Sequence, residues 1–231
     1  MANNFYNAVV RNVSADSTLP TEVYKVPDTK KAILIELDVA NKSSAGVTVT
    51  VQMLDESQNQ TYDTTGTTIN ANASTVTITT GTSGLFTTNS SAAHNLIVND
   101  RVSFTGTAPS FTDASLPASG DTALSVDTGT GSRFYYVQEK TSDSTFKIAE
   151  TKDASAALTF DNAGSGVKMV KVFLADIVKD APVPVGGSLK VISGQKLVIE
   201  SAHADVNDKL YVYSSAANAV DAIGSVLQEV S

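Results

Sequence analysis

Residues 47–53 read Val-Thr-Val-Thr-Val-Gln-Met. In an extended chain successive side chains point to opposite faces, so Val47, Val49, Val51 and Met53 share one side and Thr48, Thr50 and Gln52 the other. A helix, with its period of 3.6, would scatter the same residues around its axis. The stretch is therefore a half-buried strand, and it needs an apolar partner surface. Residues 31–40 (KAILIELDVA) carry a similar β-branched run, and the turn-forming string 41–46 (NKSSAG) between the two predicts a hairpin. Toward the end of the chain come further strand patterns within 167–192, 196–201, 208–214 and 219–230, separated by Gly, Asn and Asp. Pro182 and Pro184 cannot donate ladder hydrogen bonds, which makes 181–187 a loop or a sheet edge.

The middle of the chain differs. From about Gly66 to Gly166, Thr, Ser, Ala, Asn and Gly dominate and long apolar runs vanish. Five short strand patterns remain, at 74–80, 100–106, 133–139, 144–150 and 157–160, enough for a small barrel of their own. The flanks each hold only part of a strand set. The expected architecture is all-β: a discontinuous, jelly-roll-like β-sandwich built from 1–66 and 167–231, carrying residues 67–166 as an inserted β-barrel-like domain. Loop tips tolerate such insertions because little buried backbone is disturbed.

Composition narrows the function classes. The 231-residue chain has 24 acidic against 16 basic residues, a formal charge of −8, so nucleic acid is not expected as its ligand. It has no cysteine, which removes disulfides, thiolate zinc sites and a cysteine nucleophile. The first residues lack the basic and apolar regions of a secretory signal, and no run of about eighteen apolar residues exists to span a membrane. The expectation is a soluble protein made in the cytosol.

Three strings resemble catalytic motifs. Ser144 and Lys147 have the Ser-x-x-Lys spacing of acyl enzymes, which need both groups on one helix face; in a strand that spacing separates them. Asp127-Thr128-Gly129 matches the aspartic-protease string, but that chemistry requires two such carboxylates and one is present. His94 and His203 lie far apart; His203 and Asp205 would share a strand face, yet the polar stretch 201–208 around them reads as a solvated turn. No phosphate loop, dinucleotide fingerprint or calcium loop occurs. The Asn-x-Ser string at Asn89 carries meaning only after secretion. Phe134 and Tyr136 should share one strand face and Tyr135 the other, with one face filling a small core. No catalytic, cofactor-binding or metal-binding residue is therefore assigned, and the chain is expected not to be an enzyme.

The middle nevertheless carries a pattern. His94 and Leu96 in a turn are followed by Asp100, Arg101, Val102 and Phe104, then by a loop from Gly106 through Pro109. After it come an aromatic strand with Tyr135, Tyr136 and Val137, a strand with Thr145, Phe146 and Lys147, and an exit with Ala163, Gly164 and Gly166. This resembles a small β module of tailed-bacteriophage structural proteins, although the loop 108–132 is longer than that module needs. The flanks, with their opening string 1–27 and the segment 176–201, are similar to short virion structural proteins of marine and cyanobacterial phages.

The resemblance implies a virion protein, assembled in the host cytoplasm, and specifically an oligomeric capsid decoration protein on the outer surface. Its implied partners are further copies of itself and the major capsid protein, or else neck or tail proteins. An alternative is a receptor- or glycan-binding module using loops 106–119 and 127–132. The run 171–178 offers few charges to guard a sheet edge, and residues 1–10 are expected to reach across a neighbouring copy as an extended arm.

Overall fold

The computed structural model describes residues 4–56, 60–61, 74–81, 84–88, 94, 96–112, 121–126, 133–203 and 206–229. In chain order the strands are β1 (Asn4–Val10), β2 (Thr21–Lys25), β3 (Lys31–Asn41), β4 (Val47–Leu54), β5 (Gln60–Thr61), β6 (Ser74–Thr79), β7 (Leu85–Thr88), β8 (Arg101–Thr107), β9 (Tyr135–Lys140), β10 (Thr145–Ala149), β11 (Ser165–Val172), β12 (Leu174–Val183), β13 (Ser188–His203), β14 (Val206–Asn207), β15 (Lys209–Ser214) and β16 (Val220–Glu229). The fold is all-β, and its sheets are discontinuous in sequence. The chain divides into two compact units, Met1–Gln58 with Phe173–Ser231, and Asn59–Val172.

The first unit holds a five-stranded sheet, β1-β16-β3-β13-β14, and a four-stranded sheet, β12-β4-β15-β2. Leu34, Leu37, Val39, Ile199 and Val226 from the first and Val49, Val51, Leu210 and Val212 from the second enter one apolar cluster with no exposed surface. Each such burial contributes about 1.5–3 kcal/mol relative to exposure. Val47, Val49 and Val51 are buried in that cluster, but Thr50 and Gln52 on the opposite face are buried as well, so the strand is covered on both faces rather than half-buried.

The predicted hairpin does not form. β3 pairs with β13 and β16 in one sheet, whereas β4 pairs with β12 and β15 in the other. Residues 41–46 are thus a corner between sheets. Turn residues specify that the chain reverses, not which sheet it enters. Asn41 makes the corner: its side-chain amide donates to the carbonyls of Ala45 (2.8 Å), Val183 (3.0 Å) and Pro184 (3.1 Å). Its carbonyl oxygen accepts from Ser43 N (2.9 Å) and Ser43 Oγ (2.8 Å). One buried amide therefore ties the β3–β4 corner to the β12–β13 corner.

Two further expectations change. Residues 4–10 do not form a free arm; β1 pairs along its whole length with β16, from Asn4 opposite Gln228 to Val10 opposite Ala222. The run 171–178 is not a single edge: Lys171 and Val172 end β11, and the edge strand β12, from Leu174, is better guarded than its composition suggests. β12 shifts register against β4 at Asp176/Val178 and at Val178/Ala181, and Pro182 lies within it. Bulges and proline blunt an edge without adding charge.

The second unit is a nearly closed six-strand barrel. The order β11-β6-β7-β10-β9-β8 returns to β11 through the β8–β11 pairing, and β5 adds to β11 beside β6. Residues 167–172, expected in the flanking sheets, belong here: Lys168 to Val172 pair with Thr105 to Arg101. The alternation of that segment is real, but alternation does not say which sheet receives it. Closure needs Gly106, at φ 108°, because a Cβ there would run into the backbone of Gly166. The core is aromatic. Phe86 packs against Phe104 (5.2 Å between ring centres), Phe146 (5.3 Å) and Phe160 (5.4 Å), all fully buried.

Candidate functional site

The residues that carry the module pattern are the barrel's own framework. His94 is fully buried. Its Nδ1 accepts from Leu96 N (3.0 Å), so the proton sits on Nε2, which faces the Ser142 carbonyl (3.1 Å) and that of Thr145 (3.4 Å). Burial holds its pKa below the ordinary histidine value. The ring also meets Phe146 edge-on at 5.3 Å. Asp100 closes the following turn by accepting from Ile97 N (2.8 Å) and pairs with Lys171 of β11 (2.7 Å). Arg101 lies over the Tyr136 ring, 5.5 Å from its centre.

The aromatic strand is buried on both sides, with Phe134, Tyr135 and Tyr136 at 5%, 0% and 6% exposure. Tyr135 enters the barrel core; its hydroxyl accepts from Ser125 N (2.7 Å), and burial pushes its pKa up. Beside it Arg133 Nε contacts Asp121 (3.2 Å) and Glu150 (3.4 Å). Arg133 and Glu150 are both nearly enclosed, so each offsets part of the cost of burying the other's charge.

The catalytic look-alikes are not brought together. Ser144 lies in the bend before β10, whereas Lys147 pairs with Glu139 across the β9–β10 ladder (2.8 Å). His203 ends β13 opposite Val206 of β14. Asp127, Asp205, Asn89 and loop 127–132 lie outside the described residues, as does the part of loop 106–119 beyond Thr112. Among the described residues no group of three or more His, Asp or Glu side chains is placed to hold a metal.

The stretch 201–208, read as a solvated turn, contains buried anchors. Asn207 Nδ2 donates to Val26 O (2.8 Å), Asp28 Oδ1 (2.7 Å) and Ser201 Oγ (3.2 Å). Asp208 accepts from Glu56 N (3.1 Å) and Glu200 N (2.9 Å), and burial raises its pKa. Polar composition alone could not separate these anchors from a solvated loop, since Asn and Asp serve both roles.

What the first unit leaves open is a surface. On the outer face of the five-stranded sheet, Phe5 stands opposite Leu227, Leu227 opposite Ile33, and Ile33 opposite Val198. This is one apolar row across β1, β16, β3 and β13. Val9 opposite Ile223 adds a second pair. Phe5, Val9, Val198 and Ile223 are 78%, 55%, 56% and 50% exposed. Contiguous exposed apolar surface marks interaction sites more often than scattered single residues do. Compared with family profiles, curated proteins and solved structures, the chain matches none of them.

Proposed function

We propose that the chain is a non-enzymatic structural protein of a tailed-phage particle, an oligomeric decoration or accessory protein on the outside of the capsid. The observation that carries this reading is the apolar row Phe5, Leu227, Ile33 and Val198 on the outer sheet face, a surface suited to docking. In this reading the two-sheet unit is a discontinuous, jelly-roll-like sandwich that meets the shell and other copies, and the barrel is an inserted display domain. The formal charge of −8 supports an outward position, because an anionic surface facing packaged DNA is repelled by it. The framework role of His94, Asp100, Tyr135 and Phe146 supports a scaffold in which the shared pattern encodes a fold rather than a reaction.

Quantitative mass spectrometry of purified particles tests the proposal. A copy number comparable with that of the major capsid protein is the expected result. A number matching a single ring would move the protein to the neck or tail, and absence from the particle would overturn the virion role altogether.

A further inference from the structure

We propose that β1 is a homodimerisation edge: two copies of the chain pair β1 to β1 antiparallel about a two-fold axis through Asn7, joining their five-stranded sheets into one continuous sheet. This deepens the self-association in the reading above, and it rests on that reading only for where the dimer acts.

β1 lies at the end of its sheet, with β16 on one side, and among the described residues no strand pairs its other side. An open edge presents unpaired backbone N–H and C=O groups and is a template for another strand. The remaining edges of this unit are short or blunted. β14 has two residues and covers only the end of β13, whose remaining edge is broken by register shifts at Lys190/Ile192 and Ser193/Leu197; β2 has five residues with charges at Glu22 and Lys25, and β12 carries its bulges and Pro182. β1 has none of these guards. Its seven residues, Asn-Phe-Tyr-Asn-Ala-Val-Val, include no charge, glycine or proline, and they pair with β16 without a register shift.

The occupant follows from charge and from the order of side chains. The chain carries a formal charge of −8, so two copies approach most favourably along an uncharged segment. Antiparallel pairing centred on Asn7 places Phe5 opposite Val9 of the second copy, and Val9 opposite its Phe5. Aromatic and β-branched residues make favourable cross-strand pairs. On the same face Asn7 meets its own symmetry mate, and two side-chain amides can each donate to the other's carbonyl. On the inner face the large Tyr6 stands opposite the small Ala8. The apolar row on the outer face would then run on into the second copy. A two-fold requires such self-complementarity, since residue i meeting j implies j meeting i.

The isolated full-length chain is the test material, so the outcome does not depend on any role in the particle. Sedimentation at micromolar concentration should show a dimer. Asn7→Asp and Asn7→Lys, at an exposed position, should each weaken the dimer at least about tenfold by placing like charges opposite each other. Both should keep the circular dichroism of the parent. An equimolar mixture of the two variants should recover a dimer. Because the chain has no cysteine, Asn7→Cys introduces a single thiol per copy, and mild oxidation should link two copies covalently. Phe5→Cys should not link to itself, since its mate lies four residues away along the paired strand. A monomeric parent chain overturns the proposal. So does a dimer indifferent to both charges at position 7, or one in which Phe5→Cys crosslinks and Asn7→Cys does not.

Discussion

Replacing Asn41 with alanine removes the amide that ties two sheet-to-sheet corners together. The side chain is 3% exposed, and its two N–H groups serve three carbonyls, of Ala45, Val183 and Pro184. Val183 is itself 1% exposed, so its carbonyl cannot turn to water when the amide is gone. An orphaned buried acceptor costs about 1–3 kcal/mol. Ala45 and Pro184 lie at the surface and rehydrate, losing about 0.5 kcal/mol each. The expected loss is thus about 2–4 kcal/mol. With a urea dependence of about 2 kcal/mol per molar, the midpoint should fall by about 1–2 M. Far-UV circular dichroism during urea unfolding reads this directly. If the two units unfold separately, only the transition of the unit containing Asn41 should move. Asn41→Asp isolates the cause. Aspartate still accepts from Ser43 N and Oγ, but at neutral pH it aims an anion at three carbonyl oxygens. It should therefore be worse than alanine. A near-native Asn41→Asp would mean that Asn41 acts only as a local turn former through Ser43, and the corner-tie reasoning would be wrong.

Three other outcomes are expected. His94 is held neutral when folded, with its pKa lowered mainly by burial, so the unfolded chain takes up a proton first as pH falls; stability should be full above about pH 6.5, decline through the window down to the lowered folded value, and flatten in His94→Gln, as urea midpoints across pH 5–7.5 would show. Gly106→Ala combines a φ of 108° with a clash against the Gly166 backbone, and it should cost about 3 kcal/mol or more and raise amide exchange in β8 and β11, measured by mass spectrometry. Because Leu54 and Leu174 are direct partners, replacing residues 56–172 with Asn-Gly should leave a short hairpin between β4 and β12; cooperative melting with a β-type spectrum is expected, and an aggregated product would show that the first unit cannot fold without the second.

The strand content was legible because period-two patterns and β-branched runs report it directly, as in β3 and β4. Sheet membership was not. The NKSSAG turn between those strands is compatible with a hairpin or a corner, and only the three-dimensional position of Val183 and Pro184 decides which. Residues 167–172 show the same limit: their alternation announces a strand, and the partner that claims it, β8, lies some sixty residues earlier. Buried polar anchors were the least legible features. Asn41, Asn207 and Asp208 sit in strings rich in Ser, Ala and Asp that look solvated, yet their side chains bind backbone groups of Val183, Val26 and Glu56, far away in sequence. The aromatic core of the barrel was visible only in part, since its phenylalanines occur singly among threonines and serines. Phe86, Phe104, Phe146 and Phe160 converge through folding rather than through proximity in the chain.

The two units reach closure by different routes, and the difference bears on where function can reside. The barrel pairs its last strand back to β8, so its ring of strands leaves little edge, and its distinctive residues are consumed internally: His94 by Leu96, Ser142 and Thr145, Tyr135 by Ser125, Arg133 by Asp121 and Glu150. The two-sheet unit cannot close in this way and must manage each of its edges. It does so on β12 with bulges and proline and along β13, beyond the short β14, with register shifts, but β1 remains unbulged and uncharged and carries the exposed Phe5. Such an edge is either an aggregation hazard or an interface. A symmetric partner resolves the conflict, because one copy covers the edge and leaves no second β1 edge to propagate from. A closed two-fold contact keeps assembly finite, whereas an unpaired β1 would leave each monomer open to indiscriminate strand addition.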